Sequence, residues 1–268
     1  MLYMRLVFLT AMGVGGATMI GALFGFIFKK ISHRFSDIVL AFASGVMLAA
    51  AVLGLVVPSV DYGVALFPGR EDSFFAKGIA LLMTIAGIFV GALCLNLLDR
   101  LVPHLHKMAE VDQEDHPSNG QNVGKVILFV MAIAIHNFPE GIAAGVGFGA
   151  GNTAEAFLIA GGIALQNIPE GMVIIAPMLA AGIKPRKTLL IALGTGLVEV
   201  IGTLVGYSAV LVSSFILPFA LAFAGGTMLY IISDEMIPET HAHGSERGAT
   251  YALLVGFCVM LLSSVLLS

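Results

Sequence analysis

Charged residues are scarce in this sequence. Asp, Glu, Lys and Arg make up 11% of its 268 residues, whereas soluble domains carry about a quarter. The hydrophobic share is 58% and the mean hydropathy is +0.99. So few charges cannot cover the surface of a water-soluble globule, which excludes an ordinary soluble domain. The composition instead predicts an all-α integral membrane protein in contact with the lipid bilayer, because helices satisfy their own backbone hydrogen bonds in hydrocarbon.

Other absences narrow the function classes. The only two cysteines, Cys94 and Cys258, lie in separate apolar runs and are expected to be small packing residues, not a disulfide framework. No GxxxxGKS motif is present, so the chain is not expected to hydrolyse a nucleotide. The HExxH motif of zinc hydrolases is also absent.

Long apolar runs dominate what is present. A membrane-spanning helix needs about 20 mostly apolar residues, and the sequence predicts eight such spans. They are Met4–Phe28, Asp37–Val60, Lys77–Leu98, Val126–Gly149, Ala156–Ala180, Thr188–Val212, Pro218–Pro238 and Thr250–Leu267.

Basic residues indicate how these spans are oriented. Ten of the 13 Lys and Arg residues fall on one side of the predicted spans and three on the other. The richer side is expected to face the cytoplasm, which places both termini outside in a multi-pass protein of the plasma (inner) membrane. The clean division also supports the number of spans, because one span too many would mix the two sides.

The connection at about residues 99–125 is the only long one. It is polar, contains His104, His106 and His116, and is predicted to be a mobile cytoplasmic loop. A loop with acidic residues and His binds metal loosely in some proteins, and a solvated linker is an equally good interpretation.

Two nearly identical polar stretches interrupt spans four and five: HNFPEG, from His136, and QNIPEG, from Gln166. A short outer turn near Gly151–Thr153 makes these spans an antiparallel hairpin. His136 stands 16 residues before Asn152 and Gln166 stands 14 after it. At about 1.5 Å rise per residue, the two stretches therefore lie at nearly the same depth, well inside the hydrocarbon region.

Both stretches repeat one helical pattern. The first residue and the Glu are four positions apart, so they share a helix face. Pro139 and Pro169 each remove an amide donor and clash with the carbonyl four residues earlier. We therefore expect both helices to bend beside the polar residues.

Three acids within the spans need a positive partner: Glu140, Glu170 and, in span six, Glu199. A charge at mid-bilayer costs a few kcal/mol even on the most permissive scale, and spans four to six contain no Lys or Arg. Either the acids are protonated or they bind a cation that enters and leaves. Imidazole nitrogen with carboxylate and amide oxygens suits Zn²⁺ and its first-row neighbours. Two matched copies favour a metal or proton site over interhelical hydrogen bonds alone.

The paired motif resembles the ZIP family of divalent metal transporters, in its prokaryotic branch. The resemblance covers essentially the whole chain, including eight spans, outer termini and a His-containing loop between spans three and four. It implies a three–two–three arrangement in which the first and last three spans form an inverted repeat. It also implies a binuclear metal site halfway through the protein.

The resemblance also assigns residues to this site. The first metal position would comprise His136, Glu140, Gln166 and Glu170. The second would comprise Asn137, Asn167 and Glu199, with the Glu residues bridging. Members often carry Asp where this chain has Asn167.

Further candidate residues lie along the route to and from this site. Met47, at the middle of span two, is core filler on the sequence alone and a thioether ligand by the resemblance. Asp61 closes that span on the outer side, where it attracts a cation or is simply an interfacial charge. The inner-side candidates for metal release are Asp99, Asp234, Glu235, Glu239, His241 and His243. For these six residues the alternative is an ordinary polar helix end. At the position of Asp234, members of the family usually have His.

The sequence therefore predicts a single transmembrane transport domain over residues 1–268. It would carry divalent transition-metal ions into the cytoplasm, with Zn²⁺ as the expected substrate and Cd²⁺, Fe²⁺ and Mn²⁺ as further candidates. The chain is not expected to be an enzyme or to bind nucleic acid. The alternative is an intramembrane metalloenzyme, although no nucleophile or separate general base stands out. A homodimer is left open.

Overall fold

The computed structural model describes residues 2–27, 32–101, 119–149 and 151–267, and the regular structure within these ranges is helical. This confirms the predicted all-α class. The α-helices are α1 (Leu2–Ile27), α2 (His33–Ala49), α3 (Val57–Val64), α4 (Phe74–Leu101), α5 (Asn119–Gly149), α6 (Thr153–Ala180), α7 (Pro185–Val212), α8 (Leu217–Ile231), α9 (Ile237–Thr240) and α10 (Glu246–Leu267).

Seven of the eight predicted spans coincide with helices, or consecutive helices, that are long and apolar enough to cross a membrane. By length and composition, these helices are therefore consistent with a helical integral membrane protein. The remaining predicted span, Val126–Gly149, lies inside the 31-residue α5. Within the described ranges α5 is not among the helices that meet the length and composition criteria, so the eighth span stays a prediction.

Two spans contain π-helical segments that the sequence did not predict. Ala50–Val56 joins α2 to α3, and Ile232–Met236 joins α8 to α9. A proline follows each segment as the second residue of the next helix, at Pro58 and Pro238. Proline clashes with the carbonyl four residues earlier, which in both cases lies inside the π-helical segment. The wider π turn gives that carbonyl room.

Proline acts differently in the two helices that carry the polar stretches. Pro139 lies inside α5 and Pro169 inside α6, and both helices run on without interruption. The predicted bends therefore do not break either helix.

The helices pack in two groups. In the first group α5 packs on α7, and α1 packs on α6 and α7; in the second, α2 packs on α10, and α4 packs on α3 and α8. Glycines bring the helices of each group into backbone contact. A Cβ on Gly145 would collide with the carbonyl oxygen of Thr203, and one on Gly226 with that of Ile88. The first group carries both polar stretches and Glu199.

The hairpin between the two polar stretches is confirmed. α5 ends at Gly149 and α6 begins at Thr153. Gly151 has a φ of +84°, a left-handed conformation that favours glycine. Asn152 caps α6, since its Oδ1 accepts a hydrogen bond from the amide of Ala154 at 3.1 Å.

The long predicted loop is shorter than expected, because its edges are helical: α4 continues to Leu101 and α5 already begins at Asn119. His104, His106 and His116 lie outside the described residues. Both cysteines are free, as predicted. Cys94 is half-buried and Cys258 is exposed on α10.

Candidate metal-binding site

The structure gathers the residues of the two polar stretches at the contact between α5, α6 and α7. Glu170 interacts electrostatically with Glu140 and His136, and Glu199 interacts with both Glu140 and Glu170. The Gln166 side chain hydrogen-bonds the Glu140 carboxylate. Glu170 is half-buried and the others are buried. We call the following set the central cluster: His136, Asn137, Glu140, Gln166, Asn167, Glu170 and Glu199.

Backbone contacts set the orientation of two amide side chains in this cluster. The Nδ2 of Asn137 donates to the carbonyl oxygen of Thr195 at 3.3 Å. The Nδ2 of Asn167 donates to the carbonyl oxygen of Val14 at 3.1 Å and to Oε1 of Glu199 at 2.6 Å. Because each nitrogen is held in this way, each amide oxygen is left available to a ligand.

The acceptor oxygens of the cluster lack partners. In the part of the chain that the structure describes, five of its buried side-chain oxygens accept no hydrogen bond: Asn137 Oδ1, Glu140 Oε2, Gln166 Oε1, Asn167 Oδ1 and Glu199 Oε2. A buried polar atom without a partner costs about 1–3 kcal/mol, and native structures contain few of them. These five oxygens, all on residues predicted as metal ligands, are the type of donor that a cation site needs.

Amide oxygens form a large part of this donor set. Among the described residues, no three His, Cys, Asp or Glu side chains form a group that could hold a metal ion by themselves. Three of the five unpartnered oxygens belong to amides. The cluster therefore offers a mixed set of carboxylate, amide and imidazole donors, which suits divalent transition metals.

Glu235 belongs with this cluster, although the sequence placed it on the release route. Its Oε1 lies 3.0 Å from Nε2 of the buried His136, and it also interacts electrostatically with Glu170. Glu235 lies in the π-helical segment Ile232–Met236, on the second group of helices. It therefore connects the two groups directly at the site.

Of the other candidates for release, Asp234 and Glu239 are exposed. His241 directly follows α9. Its Nδ1 contacts the carbonyl oxygen of Ile237 at 2.8 Å, and its Nε2 lies 3.3 Å from the Thr250 hydroxyl. These contacts match the alternative of a polar helix end. Asp99 lies in the last turn of α4, and its side chain is outside the described part of the structure.

His243 pairs with a residue that the sequence reasoning missed. Its Nδ1 lies 3.0 Å from Oδ1 of Asp37, which is 3% exposed. In the sequence, Asp37 only marks the start of predicted span two. A carboxylate directly before an apolar run is the available signal.

Among the described residues, no hydrogen bond or ion pair joins Met47 or Asp61 to the central cluster. Met47 is fully buried in the main apolar cluster with Ala143 and Ile163, so its surroundings are those of a packing residue. Its role as a thioether ligand stays a prediction. Asp61 is exposed and lines an open cavity of about 430 Å³ together with Glu71, Asp72, Lys77 and apolar side chains.

Three charged residues that line this cavity interact with groups near them in the sequence. Nζ of Lys77 lies 3.0 Å from Oδ1 of Asp72. The backbone amides of Glu71 itself and of Gly69 hold the pKa of the Glu71 carboxyl below its ordinary value. Glu71 therefore stays negatively charged in mild acid.

Thr18 is a further residue of the site that sequence reasoning missed. It is fully buried on α1, and its hydroxyl lies beside the Glu199 carboxylate. A Cβ on Gly171 would collide with the carbonyl oxygen of Thr18. The close packing of α1 on α6 thus brings this hydroxyl to the cluster.

The chain is similar to known zinc transporters. The family model of ZIP zinc transporters matches residues 103–264. The zinc transporter GufA of Myxococcus xanthus is 37% identical over 92% of this chain and 93% of its own length. The zinc transporter ZIPB of Bordetella bronchiseptica is 34% identical over 91% of this chain and 76% of its own. ZupT, a zinc transporter of Enterobacter sp. (strain 638), is 30% identical over 94% of this chain and 93% of its own length.

The central cluster lies within the matched region, and the similarity to these relatives extends over nearly the whole chain. The chain belongs to the ZIP zinc transporter family, whose members are transporters rather than enzymes.

Proposed function

We propose that this chain carries divalent metal ions, above all Zn²⁺, across the membrane into the cytoplasm through the central cluster. The observation that supports this most strongly is the set of five buried oxygens without hydrogen-bond partners. The three similar proteins described above are named zinc transporters. None of them is named as an enzyme, so the metalloenzyme alternative has no support. Cd²⁺, Fe²⁺ and Mn²⁺ are further candidate substrates.

Two adjacent metal positions are part of the proposal. His136, Glu140, Gln166 and Glu170 form the first. Asn137, Asn167 and Glu199 form the second, and the Glu carboxylates bridge the two positions. One chain supplies all seven residues, so transport requires no partner chain, and a homodimer is compatible with it.

The route through the protein follows the exposed acids. The ion arrives at the cavity beside Asp61, where the ionised Glu71 adds attraction. It then exchanges water for the ligands of the first position. Glu235, which contacts His136, is the next ligand toward the cytoplasm. Asp99, Asp234, Glu239, His241 and His243 continue this route.

The proposed arrangement has eight spans in the plasma (inner) membrane, with both termini on the outer side. Residues 1–268 then form one transport domain. The three–two–three inverted repeat is supported by the two π-helical segments. They interrupt spans two and seven, the middle spans of the first and last three, and each lies in the second half of its span.

The binding chemistry dictates an effect of pH. Metal ligation needs neutral imidazole and ionised carboxylates, so a bound ion displaces protons. Acid therefore weakens binding. The cluster contains no Lys or Arg that would repel the ion, and the ion itself balances the buried carboxylates.

Zinc uptake into vesicles tests the proposal. The purified full chain is reconstituted with a zinc-sensitive dye inside, and His136→Ala and Glu170→Ala are compared with wild type. Glu246→Ala, which removes an exposed acid at the start of α10, is the matched control. We expect saturable uptake in wild type and the control and none in the two cluster variants. Wild-type uptake in a correctly folded Glu170→Ala protein would refute the proposal.

A further inference from the structure

A second polar contact lies at the end of the molecule where α2 begins. Oδ1 of Asp37 lies 3.0 Å from Nδ1 of His243, in the connection between α9 and α10. Oδ2 of Asp37 is also buried and accepts no hydrogen bond in the described structure. His243 is partly exposed, so the pair stands at the boundary between the protein interior and water.

The surroundings of Asp37 do not explain its burial. None of the ion pairs found among the described residues joins it to Lys or Arg. A carboxylate that is 3% exposed and has one oxygen without a partner is costly. A divalent cation bound by that oxygen and the imidazole would offset this cost.

Helix packing connects the pair to the central cluster through one intermediate segment. α2 packs against α9 and against the π-helical segment Ile232–Met236. That segment carries Glu235, whose carboxylate contacts His136. The elements that carry the pair therefore adjoin the segment that carries Glu235.

We propose that Asp37 and His243 form a second, weaker divalent-metal site at the end of the protein where the ion is released. Two protein ligands, with water completing the coordination shell, bind an ion less tightly than the central cluster, and weak binding favours release. The direction of transport in this inference rests on the proposed function. Binding of metal at the pair does not.

The alternative is a purely structural contact that fastens the connection between α9 and α10 to α2. The two interpretations differ in what they require of the carboxylate. A structural contact needs only an acceptor oxygen for the imidazole N–H, which Asp37→Asn retains. A metal ligand needs the negative charge, which Asp37→Asn removes.

A thiolate placed at the pair provides a readout specific to this site. The full chain carrying His243→Cys is titrated with Co²⁺ in detergent, and the sulfur-to-cobalt charge-transfer absorption is measured as the difference from wild type, which cancels Cys94 and Cys258. His241→Cys is the matched control. It lies in the same connection, but His241 contacts Thr240, Ile237 and Thr250, not a carboxylate.

We expect the absorption band for His243→Cys and none for His241→Cys. Adding Asp37→Asn to His243→Cys should weaken Co²⁺ binding by about tenfold or more, since the loss of even an outer-shell partner costs a metal site 10–100-fold. Adding Asp37→Glu should retain the band. No band for His243→Cys, an equal band for His241→Cys, or a band indifferent to Asp37→Asn would each overturn the inference. Because the readout does not depend on transport, failed zinc uptake would count only against the proposed function.

Discussion

Replacing Asn167 by Asp tests how the amides hold the central cluster together. The change keeps the size of the side chain and removes its two donated hydrogen bonds. The bond to Glu199 goes to a carboxylate at 2.6 Å, and hydrogen bonds to charged groups contribute about 1.5–3 kcal/mol. The bond to the Val14 carbonyl at 3.1 Å contributes about 0.6 kcal/mol inside a membrane. The metal-free variant should therefore be less stable by roughly 2–4 kcal/mol if the new carboxyl is ionised.

Zinc should reverse part of this loss. The new carboxylate adds a charged ligand to the second metal position, so the variant should bind Zn²⁺ more tightly there. A tenfold gain in affinity corresponds to about 1.4 kcal/mol of additional stabilisation at saturating zinc. Thermal unfolding in detergent, followed with a thiol-reactive dye that reports on the half-buried Cys94 above the constant signal of the exposed Cys258, measures both effects with and without chelator.

Asn96→Asp provides the control for this experiment. Nδ2 of Asn96 donates to the Tyr230 hydroxyl at 2.9 Å, between α4 and α8 and away from the cluster. This variant should lose stability without gaining any response to zinc. Our reasoning would be refuted if metal-free Asn167→Asp were as stable as wild type, or if zinc stabilised it no more than it stabilises wild type.

Three further outcomes are expected. Gly145→Ala should destabilise the protein by about 1–3 kcal/mol or more, because its Cβ would collide with the Thr203 carbonyl. Gly161→Ala should leave stability unchanged, because a Cβ there meets open space. Equal unfolding temperatures of the two variants would contradict the packing described. If Met47 only packs, Met47→Leu should leave zinc uptake unchanged, and so should the control Met228→Leu, which changes a Met of the same apolar cluster. A selective loss of Cd²⁺ uptake in Met47→Leu would instead identify a thioether ligand. Zinc affinity of the wild type, measured by calorimetry from pH 8 to pH 5, should fall as protons compete for the imidazole and carboxylates; an affinity independent of pH would exclude these ligands.

The parts of the site that local spacing determines could be predicted from the sequence. The four-residue interval from His136 to Glu140 fixes a shared helix face, and the short turn at Gly151 fixes the hairpin that sets the two stretches side by side. Both follow from the helix repeat, which does not depend on the rest of the fold. The all-α class followed in the same way from apolar runs of sufficient length.

Contacts between distant helices could not be predicted. The pairing of Glu235 with His136 depends on how the second group of helices lies against the first, and on the π-helical segment that displaces Glu235. Asp37 was interpreted as the end of a span because its partner, His243, lies far away in the sequence. The hydrogen bond from Asn167 to Glu199 depends on the orientation of an amide that only the packed α1 backbone determines.

Anomalous diffraction at the zinc edge, from crystals of the full chain grown with Zn²⁺, tests the central claim most directly. We expect a zinc peak at the central cluster, with His136, Glu140, Gln166 and Glu170 as ligands and metal–ligand distances of about 2.0–2.2 Å for its nitrogen and carboxylate donors. Zinc bound only elsewhere on the protein, with the oxygens of this cluster satisfied by hydrogen bonds instead, would contradict it.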